Sequence, residues 1–407
     1  KKLDSRLIGG ILMIAGTSIG AGMLSLPIAT AQGGIIWSSL LFLFSWAIMT
    51  VTAFLTLEVN LLFPENSSII TMAAATLGKT GKFISWTVYL LFLYALVSAY
   101  ISGGSDVLNG LMLSIGLKLS SWSLALIFTL LFGFIVLAGT RKVDLVNRLI
   151  MLTKFAALGL LMVILLGHVS LQNYIIGNPF KLYSAISVTI TSFGFSIIIP
   201  SLRTYYKSDI KKLRKVTLLG SLIPLLFYII WNFAVFGVIA AVGKHSLTYM
   251  LHATKPLTAL MATLHHNISG GNLEVISRIF ISVCMVTAFL CVSLALKDYI
   301  LDGIHKTTRE FGLIKSALVT FLPPLLVVIF ARQSFILFLS IAGLLCILLQ
   351  GLMPAIMSWR CRYLTTDHEH SYAYRVAGGK TFLLLVIVVS SVISFIILLQ
   401  LLTKFFS

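Results

Sequence analysis

The side chains able to do chemistry in this sequence lie inside long apolar stretches. Lys154 stands within the apolar run 145–167. A lysine taken out of water can lose and regain its proton near neutral pH where an arginine cannot, so an ammonium here suits proton coupling; the plainer reading is a stem that snorkels to the headgroups. Glu58, near the inner end of the run 35–62, is expected to partner backbone or a nearby cation rather than carry a proton. Asp106, in Ser102-Gly103-Gly104-Ser105-Asp106, is expected at the outer surface, solvated.

The backbone offers a second chemistry. Gly16-Thr17-Ser18-Ile19-Gly20-Ala21-Gly22 places three glycines within seven residues of an apolar run, with Pro27 following. A membrane helix must satisfy its own backbone, so a break at this depth exposes N–H and C=O groups and is tolerated where protein or a water-filled cavity surrounds it. The positive N-terminal end of the second half suits a carboxylate, and the freed carbonyls of the first half suit an ammonium. Together they would recognise the zwitterion of an α-amino acid. The alternative is that Gly16 and Gly20 form a GxxxG packing pair. A second candidate break is Thr191-Ser192-Phe193-Gly194-Phe195-Ser196 with Pro200 beyond it; here Phe193 and Phe195 add aromatic walls, against the alternative of a packed helix with one glycine.

The elements that must position these groups follow from hydropathy. The chain has 407 residues, 58% hydrophobic and 10% charged, and its apolar stretches recur from end to end. This is the pattern of an all-α polytopic membrane protein. Eleven transmembrane helices are expected near 6–32, 35–62, 83–114, 120–138, 145–167, 182–203, 213–242, 273–300, 315–331, 333–359 and 380–403. The first, flanked by Lys1, Lys2 and Arg6, is too long for a signal-peptide core and is read as retained; with no initiator Met, the numbering is expected to begin inside a longer amino terminus. With the amino terminus cytoplasmic, seven basic residues fall outside (Lys118, Lys181, Lys244, Lys255, Arg278, Arg332, Lys404), leaving 23 of the 30 inside. That asymmetry sets the orientation, with the carboxyl terminus extracytoplasmic. The breaks fall in helices 1 and 6, which start on opposite sides. One transmembrane domain over 1–407 is therefore expected as a 5+5 inverted repeat, 1–170 and 178–365, plus one extra C-terminal helix at 380–403.

The net charge of +18 is scattered through short connections, which argues for topology and against nucleic acid. The densest basic run, Arg203 to Lys215, reads as the positive-inside signal, with anionic lipid headgroups as the alternative partner. The loop Lys244 to Asn272 is expected to fold as a short helical cap over the outer mouth. Its His245, His252, His265 and His266 lack metal-ligand spacing, with Glu274 the nearby carboxylate, so no metal is expected. Cys284, Cys291, Cys346 and Cys361 match no redox or zinc motif and read as packing residues. The buried carboxylates are isolated from one another, and no nucleophile has a neighbouring base, so the chain is not expected to be an enzyme.

The stretch Gly16 to Pro27 resembles the first-span signature of the hydroxy and aromatic amino acid permease family, its tyrosine-transporting members in particular. Ser192-Phe193-Gly194-Phe195 with Pro200-Ser201-Leu202 and Tyr205-Tyr206, Thr287-Ala288-Phe289-Leu290, and Leu352 to Trp359 resemble the family's sixth, eighth and tenth spans. The resemblance covers nearly the whole chain. It implies a LeuT-type fold of the amino acid/polyamine/organocation superfamily, in the plasma (inner) membrane. It also implies import of an aromatic amino acid, most readily tyrosine, by proton symport through alternating access. Gly16, Thr17, Ser18, Ile19, Gly20, Ala21 and Gly22 would form the central site with Ser192, Phe193, Gly194 and Phe195. Small residues Ala95, Ser98 and Ala99 would help shape the ring pocket. Lys154 matches a fifth-span lysine that stands in the place of a sodium ion, with Thr287 as its neighbour and no other cofactor. Two departures matter: Ser196-Ile197 replaces a common His-Gly, leaving Ser196 as intramembrane support, and Ala288 replaces a serine whose hydroxyl a sodium site would use. Sodium coupling in the same fold, or an amino acid-binding nutrient sensor, remain the alternatives. The sequence is silent on oligomeric state.

Overall fold

In hydrocarbon a chain must pair its own backbone polar groups, and this one does so with helices. The computed structural model describes residues 5–20, 22–65, 67–240, 246–251, 253, 255–268, 271–304, 307–331, 335–364 and 373–406. Lys1, Lys2, Ala21, Lys244, His245, His252 and Arg332 lie outside the described residues, as do the side chains of His265, Glu274 and Lys404. The helices in chain order are α1 (Ser5–Ser18), α2 (Gly22–Thr30), α3 (Gly34–Asn60), α4 (Ile69–Ser114), α5 (Ser121–Leu137), α6 (Thr140–Gly167), α7 (Ile186–Ser192), α8 (Ile199–Tyr205) and α9 (Ile210–Val238). They continue with α10 (Leu247–Leu251), α11 (Pro256–Asn267), α12 (Gly271–Gly303), α13 (Thr308–Phe311), α14 (Leu313–Ala331), α15 (Phe335–Cys346), α16 (Met353–Tyr363) and α17 (Gly379–Phe406). A π-helical turn, Ile347–Leu352, joins α15 to α16. Among the described residues the β pairing is a single isolated bridge, Gly34 to Ile176.

Each of the eleven stretches expected to span overlaps helix among the described residues, where nine helices are long and apolar enough to cross a membrane. The difference has two physical causes. The segment Ser121–Leu137 is short, and α2 runs through a tight turn into α3 to give one apolar stretch, Gly22–Asn60, while Arg6–Ser18 stands apart as a short helix.

Lipid gives helices no hydrophobic reason to associate, so close approach through small residues does that work. A Cβ on Gly343 would stand 2.2 Å from the Ser187 carbonyl oxygen, which brings α15 hard against α7. One on Gly220 would stand 2.8 Å from the Ile14 side chain, so α9 also lies close to α1. Both contacts pin the first half of a broken span.

The face carrying the amino terminus is tied by buried polar groups. Tyr206 donates its hydroxyl to the Arg6 carbonyl at 2.6 Å. Arg203 was expected to face water or headgroups with the rest of its basic run; instead it is buried, donating to the carbonyls of Asn60 and of Phe63, the latter at 2.7 Å. Asn60 ends α3 and Phe63 lies just beyond it; the Asn60 carbonyl also accepts the Phe63 N–H at 3.2 Å, and the guanidinium adds a charged donor to both carbonyls. Glu58 behaves as a partner for a cation: Arg362 donates through Nε to Oε1 at 2.6 Å and through Nη2 to Oε2, while the Val376 N–H reaches Oε2 at 2.8 Å.

On the opposite face, the loop expected to form a helical cap contains α10 and α11. Asp106 corrects a second expectation, because it is 5% exposed rather than solvated. Its carboxylate accepts the Leu257 N–H at 2.8 Å, the Thr258 N–H at 3.3 Å and the Thr258 hydroxyl at 2.5 Å. A helix on another element thus caps α11, supplying the acceptor that α11's own flank, Lys255, lacks.

Candidate functional site

Both sequence-inferred breaks exist, and both are narrower than the glycine pattern suggests. Helix α1 persists through Gly16, Thr17 and Ser18, and the Ile19 N–H still reaches the Ala15 carbonyl at 2.7 Å. The chain unwinds at Ile19 and Gly20, Ala21 lies outside the described residues, and Gly22 opens α2. Thr17 turns its hydroxyl back to the Met13 carbonyl at 2.7 Å. The second break covers Phe193, Gly194 and Phe195, after which a 3-10 turn, Ser196–Ile198, leads into α8.

The glycines divide by what surrounds them. A Cβ at Gly16 or Gly20 would meet nothing within 4 Å, so neither is a packing glycine of a GxxxG seam. Bare backbone there borders open space. By contrast, a Cβ on Gly22 would stand 3.2 Å from Ser192 Oγ, which holds the two breaks against each other.

Two side chains from elsewhere join them. Tyr228 on α9, fully buried, donates its hydroxyl toward the Ser18 carbonyl at 2.5 Å and lies 3.1 Å from the Ser192 carbonyl. These are the last residues of α1 and of α7, so one phenol spans the ends of both interrupted helices. Lys154 on α6, 3% exposed, points inward rather than snorkelling, and its Nζ donates to the Ile19 carbonyl at 2.9 Å. A cationic donor on a carbonyl at a helix C-terminal end opposes the negative end of the helix dipole. Two of the carbonyls that the break frees are thereby occupied by the protein itself.

The remaining residues sort around this junction. Helix α12, which carries Cys284, Thr287 and Cys291, packs against α6, the helix of Lys154. The Thr287 hydroxyl is turned to the Val283 carbonyl at 2.8 Å. Phe193 packs edge-on to Tyr228, with ring centroids 5.2 Å apart. Phe195 belongs to a separate cluster with Ile14, Ile199 and Leu202 toward the amino-terminal face, so the two phenylalanines wall different spaces. Ala95, Ser98 and Ala99 are buried on α4, with Ser98 donating to the Tyr94 carbonyl at 2.9 Å. Ser196 donates to Gln350 Oε1 at 3.0 Å.

Chemically, the arrangement is a binding junction: unwound backbone at two adjoining helix breaks, one lysine amine, one phenol and aromatic surface. The model of the tryptophan/tyrosine permease family matches residues 4–397. The chain belongs to that family. It is 33% identical over 396 residues to a protein of Haemophilus influenzae called tyrosine-specific transport system 1, covering 96% of each. It is 30% identical to a tryptophan-specific transport protein of Pseudomonas aeruginosa (94% of this chain, 91% of the relative). It is also 30% identical to glutamine transporter 2 of Aliivibrio fischeri (93% and 95%). The protein is a permease rather than an enzyme.

The sequence reading of this permease missed Tyr228 and Gln350. Each left a faint signal: a phenol four residues after Pro224, and an amide in Leu348-Leu349-Gln350-Gly351, both polar groups inside apolar spans where such groups are costly.

Proposed function

We propose that this permease is a secondary transporter that imports an aromatic amino acid, tyrosine first, together with a proton by alternating access. The observation that carries the proposal is the junction itself, with Tyr228 on the ends of both breaks and Lys154 on Ile19. The relatives' names favour aromatic side chains. On this reading α2, whose N-terminal end faces the break, receives the substrate carboxylate, and the ammonium takes carbonyls that Tyr228 and Lys154 leave free. Phe193 supplies ring contact.

Lys154 supplies the coupling. Protonated, it holds the Ile19 carbonyl with a full charge; deprotonated, it keeps a weaker neutral donor, and α1 is freer to tilt. Substrate and proton then favour one gate arrangement over the other, which is all that alternating access requires. The same reading has eleven crossings in a LeuT-type inverted repeat, in the plasma membrane with the amino terminus cytoplasmic. The glutamate-arginine pair Glu58–Arg362 and the Arg203 contacts would then lie on the cytoplasmic side.

Counterflow in proteoliposomes with a panel of labelled amino acids, followed by uptake under imposed proton or sodium gradients, tests each part. Saturable tyrosine exchange and accumulation driven by a proton gradient are expected. Accumulation driven by sodium and indifferent to protons would sink the role given to Lys154; binding without exchange would leave a sensor.

A further inference from the structure

The π-helical turn Ile347–Leu352 carries Gln350, a glutamine with no exposed surface. A π turn inserts a residue into a helix and re-aims a side chain, and natural helices frequently carry such turns at functional sites. Gln350 Oε1 accepts from Ser196 Oγ at 3.0 Å, so the first residue after the span-six break sets the amide's orientation. Its Nε2 has no hydrogen-bond partner among the described residues. That nitrogen lies 3.4 Å from where a Cβ on Gly194 would stand, which places it against the unwound segment.

An amide donor buried at membrane depth without an acceptor is expensive, and the expense is relieved by a ligand that brings a neutral oxygen. We propose that Gln350 reads the substrate side chain, donating its Nε2–H to a phenolic oxygen and so selecting tyrosine over phenylalanine and tryptophan. The assignment rests on the function proposed above and adds the residue that discriminates. Phenylalanine offers no acceptor, and the indole N–H is a donor that would face a donor. A side-chain amide oxygen has the same acceptor chemistry as a phenol; the Phe193 and Tyr228 rings beside the break favour the aromatic ligand.

The test is counterflow by the full chain in proteoliposomes, with labelled tyrosine competed by tyrosine, phenylalanine, tryptophan and glutamine. Wild type is expected to half-saturate with tyrosine at a concentration about tenfold or more below phenylalanine or tryptophan. Gln350→Met should shrink that ratio about tenfold, the worth of one buried hydrogen bond. Ser196→Ala keeps the amide but frees its orientation, and should shrink the ratio by a smaller factor. A wild-type ratio near one, a Gln350→Met ratio equal to wild type, or glutamine outcompeting tyrosine each overturns the assignment. Should Gln350→Met fail to insert, the Ser196→Ala ratio decides in the same way. The proposed function fails on a different result, the absence of any aromatic exchange by wild type.

Discussion

The Tyr228 hydroxyl stands 2.5 Å from the Ser18 carbonyl, although 210 positions separate the two residues in the chain. Its second contact, to the Ser192 carbonyl, makes α9 the element that registers one interrupted helix against the other. A broken helix whose end has no partner would be mobile and costly in lipid. One phenol serving two ends couples their positions, so a movement of α1 is felt at α7.

Replacing Tyr228 by Phe tests that coupling while keeping the ring against Phe193. The one phenolic proton, shared between two buried carbonyls, is lost, and a buried acceptor left unpaired costs about 1–3 kcal/mol. Tyrosine counterflow is expected to fall about tenfold or more, at 1.4 kcal/mol per tenfold, with the detergent-solubilised protein still monodisperse. Wild-type exchange by Tyr228→Phe would show the bridge to be dispensable.

Lys154→Met keeps the length of the stem and removes both donor and charge. The Ile19 carbonyl is left without its 2.9 Å partner, and no proton can be carried there. Accumulation against a gradient should disappear in proteoliposomes while exchange at equal pH survives at a reduced rate. Lys154→Arg should resemble it in the gradient assay, because a guanidinium holds the carbonyl but does not titrate.

What was legible in the sequence was local. Gly16 to Gly22 and Ser192 to Phe195 announce themselves because flexible residues contrast with the apolar runs around them, and Lys154 and Glu58 because charge inside such a run is rare. The breaks came out narrower than the motifs, since helix α1 continues until Ser18 and glycine permits unwinding without compelling it. Tyr228, Gln350, Arg203 and Asp106 were missed or misjudged for one reason: each is defined by a distant segment it meets. A tyrosine in span seven reads as apolar bulk until the ends of α1 and α7 are placed beside it.

Gly20 separates a folding effect from a binding effect. Its missing Cβ faces open space, so Gly20→Leu should insert and fold, filling room that substrate would use and abolishing tyrosine binding by scintillation proximity. Gly194→Leu is the contrast, because its Cβ would stand 2.7 Å from Cys346 Sγ. That clash, between two packed elements, should lower thermal stability as well as transport. Undiminished affinity in Gly20→Leu would place the substrate elsewhere.

The Glu58–Arg362 pair fastens the end of α16 and the Val376 backbone to α3, with both side chains almost entirely shielded from water. Tyr374, two residues before Val376, lies under the Arg214 guanidinium, 5.1 Å from its ring centroid, so the same loop also reaches the start of α9. Removing one partner leaves a buried charge alone, which costs about 3–5 kcal/mol, whereas replacing both with apolar residues removes the desolvation penalty along with the bond. Glu58→Leu should therefore lower the melting temperature of the solubilised protein by several degrees, and the double variant Glu58→Leu/Arg362→Met should recover most of that loss. If the loop must detach from α3 for this face to open, the double variant will also exchange tyrosine faster than wild type when exchange is limited by opening there. A double variant as stable as wild type but unaltered in exchange rate would make the pair a fastening of the fold and not of the gate.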